Sequence, residues 1–119
     1  MGGYLSGGVG VYDPATGESK ELEGIEQPEG MAYVGDTMFF GVYPRARLYK
    51  QDLNEKWDPE LIKTLEDEGQ DRPFAMLGAE DVQKLYFGTV PSYGLLGGAF
   101  VFLALGSVDW PYAVGVGLF

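Results

Sequence analysis

Four side chains stand where a polar ligand could be held. Asp71 and Arg72 precede Pro73, and Tyr43 and Tyr93 flank Pro44 and Gly94 in loop-like surroundings. A guanidinium offers planar, paired donors that suit a carboxylate or sugar hydroxyls. An aromatic ring at a loop gives an apolar platform with a polar handle. Each also has a plainer reading. Arg72 can close a local ion pair with Asp71 or Glu68, worth little at a surface. Aromatics in strand patterns are mostly core, and Phe39, Phe40 and Phe87 are assigned there. Glu29, in Gln27-Pro28-Glu29-Gly30-Met31-Ala32-Tyr33, reads on its own as a surface carboxylate.

The residue inventory narrows the chemistry sharply. The 119 residues include no His and no Cys, so the commonest general base, the thiol nucleophile and the serine triad are all out of reach. No carboxylate pair has a spacing that demands acid–base catalysis, and no glycine-rich phosphate loop opens a helix. No catalytic residue is assigned and no cofactor is expected. The net charge of −10 disfavours nucleic acid and anionic membrane as partners. The first residues have neither a basic start nor an apolar run. That is unlike a signal peptide and leaves a cytoplasmic location as the default expectation.

The elements that must position these groups read as strands and turns. Nineteen Gly and seven Pro imply many turns. "GVGVY" is a strand, Asp13-Pro14-Ala15-Thr16-Gly17 a turn, and "ESKELEG" the returning strand. "GMAYV", a Gly35-Asp36 turn, "TMFFGVY" and "ARLYKQD" follow as strands. "ELIKTLE" fits a fourth strand or a short helix. Arg45 and Arg47 read as charges on an edge strand, where they discourage pairing with other chains. Residues 88–119 hold a single charged side chain, Asp109. Gly88–Val108 is 21 uncharged residues long, the length of a membrane span, although Pro91 and five Gly argue against a helix.

The segments recur. Sliding the sequence by 89 positions lays Gly2–Ser19 over Pro91–Val108, and Gln27–Pro44 is similar to Arg72–Pro91. Pro28 and Pro73 are 45 residues apart; Gly41 and Gly88, like Pro44 and Pro91, are 47 apart. A period in the mid-forties suits a four-stranded propeller blade. "PEGMAYVGDTMFFGVYPRARLYKQDL" and "VYDPATGE" resemble repeats of bacterial β-propellers, namely the NHL and YVTN-type, streptogramin-lyase-like and SMP-30/gluconolactonase-like groups. The fold expectation is therefore all-β, an incomplete propeller of four-stranded antiparallel blades. Residues 1–24 form the outer half of one blade, 25–67 a complete blade, 68–108 a degenerate blade, and 109–119 an apolar tail that fits no blade strand.

The resemblance implies more about the site. In SMP-30-like proteins a Glu-Gly-Pro-x-Trp segment supplies a metal-binding carboxylate, and Glu29-Gly30-Met31-Ala32-Tyr33 is similar to it. The further oxygen ligands expected from the next blade are replaced by Phe74 and Ala75, which leaves Glu29 as a lone metal candidate. The resulting expectation is a non-catalytic binding or interaction module, its ligand a carbohydrate or a protein, held by Glu29, Tyr43, Asp71, Arg72 and Tyr93. The alternative is an arc of an SMP-30-like or streptogramin-lyase-like enzyme. About two and a half blades do not close a ring. Three resolutions stay open: self-association through residues 98–119, a larger propeller context, or an open stack of sheets.

Overall fold

The computed structural model describes Gly2, residues 7–104 and the backbone of Val114–Leu118. Its regular elements are β-strands, all paired antiparallel, and the one helical element among the described residues is a 3₁₀ turn at Glu80–Val82. The first pair is β1 (Val9–Asp13) and β2 (Glu18–Leu22). The Asp-Pro turn closes it as its residues dictate. The Asp13 carboxylate accepts the Ala15 N–H at 2.9 Å, the Gly17 N–H bonds the Asp13 carbonyl at 2.7 Å, and Gly17 takes φ 73°.

A four-stranded sheet follows in chain order: β3 (Gln27–Val34), β4 (Thr37–Tyr43), β5 (Arg47–Asp52) and β6 (Glu60–Thr64). Gly35, at φ 58°, makes the two-residue β3–β4 turn. The ambiguous "ELIKT" is a strand. Leu61 points out, 48% exposed, while Ile62 packs on the core, an alternation of period two. β5 is an interior strand, contrary to the edge expected from Arg45 and Arg47. Arg47 is buried, its guanidinium bonding the Pro44 and Tyr43 carbonyls at 3.0 and 3.3 Å and Glu26 at 2.8 Å. The charge closes the strand end instead of repelling neighbours.

A second four-stranded sheet is built from β7 (Gln70–Ala79), β8 (Lys84–Pro91), β9 (Ala99–Ala104) and β10 (Val114–Leu118), in the order β10-β9-β8-β7. Residues 88–104 of the uncharged stretch are thus the end of β8, a turn-rich connection and β9, not a helix. Among the described residues no helix is long and apolar enough to cross a membrane. β9, within the span 98–119 expected to mediate self-association, is not a free edge, because β10 pairs along it from Val114↔Leu103 to Leu118↔Ala99. The tail that matched no strand supplies this partner; residues 105–113 and 119 lie outside the described residues.

Consecutive sheets meet face to face. Phe39 and Phe40, neighbours in β4, point to opposite faces and anchor two cores. Phe39, Leu48 and Leu65 join Leu85, Phe87, Val101 and Leu103 of the last sheet in one cluster, each of these seven at most 2% exposed. Phe40 and Val42 join Val9 and Ile25 beneath the first hairpin, and Trp57 stands edge-on to Phe40 at 5.7 Å. Full burial of each such side chain contributes roughly 1.5–3 kcal/mol. The backbones approach most closely where β7 crosses β3 and β4. A Cβ at Gly30 or Gly41 would sit 2.6 or 2.8 Å from the Pro73 carbonyl oxygen.

Candidate functional site

β-Bulges place the candidate residues. The β3–β4 register slips between Pro28 and Gly30, so Glu29 is the extra residue of the bulge. β7 slips twice against β8, between Gln70 and Arg72 and between Pro73 and Ala75, which makes Asp71 and Phe74 the extra residues. An inserted residue leaves the ladder and re-aims its side chain. Here the bulges of β3 and β7 bring Glu29 and Arg72 together from 43 residues apart, with Arg72 Nη1 donating to Glu29 Oε1 at 2.8 Å.

The Arg72 partner is therefore Glu29, neither Asp71 nor Glu68. Glu29 is no surface carboxylate, its side chain being only 7% exposed. Gln27 Nε2 donates to the same Oε1 at 2.8 Å, whereas Oε2 is buried with no hydrogen-bond partner among the described residues. The Arg72 guanidinium lies 4.3 Å from the centroid of Tyr43 and 5.9 Å from that of Phe74, and its side chain is 35% exposed. The ring faces favour the cation by electrostatics, and the guanidinium carries further N–H donors beside the one given to Glu29.

Asp71 plays a supporting part. Its Oδ1 accepts the Arg45 N–H at 2.7 Å, and its carbonyl accepts the Ala46 N–H at 2.8 Å. Those two bonds hold Arg45 and Ala46 at φ 68° and 44°, a left-handed pair that non-glycine residues rarely adopt. Asp71 thereby fixes the loop that follows Tyr43 at the end of β4. Tyr93, wholly exposed in the β8–β9 connection, shares none of these contacts. Four of the five expected residues converge and the fifth does not.

Sequence reasoning missed Gln27 and Phe74. The signal for Phe74 was present: it follows Pro73 as Glu29 follows Pro28, in the same bulge of the next sheet. A polar–aromatic pair 45 positions apart marks matching places in two first strands.

The arrangement pairs an acceptor-rich buried oxygen with exposed charged donors beside two rings. It suits recognition of hydroxyl-bearing groups, each of which donates and accepts. Glu29 Oε1 is already engaged by a cation, and among the described residues no three His, Cys, Asp or Glu side chains gather to hold a metal ion. Away from this site, a groove of about 480 Å³ between the first hairpin and the middle sheet is lined by Val11, Met31, Met38, Phe40 and Trp57. Its Gln51 amide is spent on the Asp52 and Lys56 carbonyls and the Asp58 N–H. Comparison of the chain with protein-family models, with curated proteins and with solved structures finds no match.

Proposed function

We propose that the chain is a non-catalytic binding module built on propeller-type sheets, which recognises a polar, hydroxyl-rich ligand of carbohydrate type at the bulged strands β3 and β7. One observation carries the reading: the unpartnered, buried Glu29 Oε2 beside the exposed Arg72 donors and the Tyr43 and Phe74 rings. A buried acceptor left without a donor costs roughly 1–3 kcal/mol. A ligand hydroxyl or a bridging water that reaches it recovers that cost. Support for the propeller-type scaffold comes from two four-stranded antiparallel sheets that follow chain order, stack face to face and set their first strands, β3 and β7, against each other. In that reading the chain belongs to a larger propeller context or associates with copies of itself.

The test is titration of the ¹⁵N-labelled chain with neutral hexoses and hexuronates. Saturable shifts should gather at Arg72, Phe74 and residues 27–31, and Arg72→Gln should weaken binding at least tenfold. Absence of shifts at tens of millimolar, or shifts gathered elsewhere, would refute the ligand reading. Calcium and zinc titrations by calorimetry separate it from the enzyme alternative, for which specific uptake must vanish in Glu29→Ala.

A further inference from the structure

Two contacts in the molecule show how one sheet locks onto the next. A Cβ at Gly2 would lie 2.5 Å from the Pro28 carbonyl oxygen, and one at Gly41 would lie 2.8 Å from that of Pro73 and 2.9 Å from Met76 Sδ. Each glycine pairs across its own sheet with an apolar residue, Val9 or Leu48. In both places a proline carbonyl from a following first strand rests on bare glycine backbone, an approach that any side chain would block.

Gly88 has the same setting in the last sheet. It pairs with Ala75 on one side and Phe100 on the other, as Gly41 pairs with Gly30 and Leu48. Yet a Cβ at Gly88 meets nothing within 4 Å among the described residues. Leu48, opposite Gly41, is 1% exposed, whereas Phe100, opposite Gly88, is 45% exposed, and Leu77 on the same face is 64% exposed. Tyr86 stacks on Phe100 at 5.9 Å, and Lys84 lies over the Phe102 ring at 5.6 Å.

We propose that this face docks the first strand of a further β-sheet, an extended segment of the pattern Pro-x-x-Met. Its proline carbonyl sits over Gly88 and its methionine packs beside it, as Pro73 and Met76 do at Gly41. A second copy of the chain is the poorer occupant, since its Pro28 and Pro73 already rest on Gly2 and Gly41. The inference goes beyond the ligand site and does not depend on it.

The probe is a synthetic peptide with the sequence of residues 70–79, titrated into the ¹⁵N-labelled full chain. Shifts should gather at Leu77, Tyr86, Gly88 and Phe100. A peptide with Ser in place of its Pro and Met should bind at least tenfold more weakly. Gly88→Val, whose side chain enters open space, should keep the far-UV spectrum and weaken binding at least tenfold; Leu77→Glu, at an exposed position, should do the same. The proposal is overturned by an unshifted spectrum at millimolar peptide, by indifference to the Pro and Met replacement, or by undiminished binding in both variants. It is equally overturned if light scattering shows a dimer that closes over Leu77 and Phe100.

Discussion

Gly41 and Gly88 occupy matching places in their strands, yet substitution should act on them in opposite directions. In Gly41→Ala the new methyl meets the Pro73 carbonyl at 2.8 Å, backbone that cannot rotate away, so overpacking should cost about 1–3 kcal/mol. In Gly88→Ala it meets open space, and the gain over glycine in a strand is about 0.5–1 kcal/mol. Urea denaturation of the two variants measures both, and equal effects would mean that the sheets do not interlock as described. Asp71→Ala tests a different tie. It removes the acceptor of the Arg45 N–H and frees a strained left-handed pair, so the variant should lose stability and also loosen Tyr43 over Arg72. The observable is a fall in midpoint together with a shifted Arg72 Nε–H resonance. A shifted midpoint with an unmoved resonance would reduce Asp71 to a loop tie alone.

Strands and turns were legible in the sequence wherever local chemistry decides them. Asp13-Pro14 with Gly17, and Gly35, set their turns through φ and a side-chain acceptor, and neither needs a distant partner. Burial at Phe39, Phe40 and Phe87 followed from their aromatic, β-rich surroundings. What stayed hidden depends on contacts across the fold. Arg47 looked like an edge charge because nothing local shows that Glu26 and the Tyr43 and Pro44 carbonyls will enclose it. Val114–Leu118, with its alternating Gly, carries little strand signal, and pairing with β9 supplies the order that propensity does not. The site was half legible. Arg72, Tyr43, Asp71 and Glu29 stood out by type, but their meeting depends on bulges, and a bulge has no signature in a single strand. For Arg47→Ala the enclosed ends of β4 and β5 lose their donors, and a loss of about 1–3 kcal/mol in urea denaturation is expected.

Across the whole molecule, the slide of 89 positions lays Gly2 on Pro91, whereas packing likens Gly2 to Gly41 and Gly88. The spacing of the paired positions differs: seven positions separate Gly2 from its partner Val9, and twelve separate Gly88 from its partner Phe100. Adjacent Phe39 and Phe40, each serving a different core, have a dynamic consequence. The middle sheet is sandwiched, so β4 can open to water only after both of its neighbours have let go. Among the described residues, the hairpin β1–β2 and the outer face of the last sheet are each held from one side only. Opening should therefore run from the two ends of the stack inward, a graded release in place of one all-or-none event. Native-state amide exchange should find the slowest protons at Phe39–Val42 and faster ones in β1 and β2. A uniform exchange free energy along the chain would mean instead that the three layers open together, as a single cooperative unit.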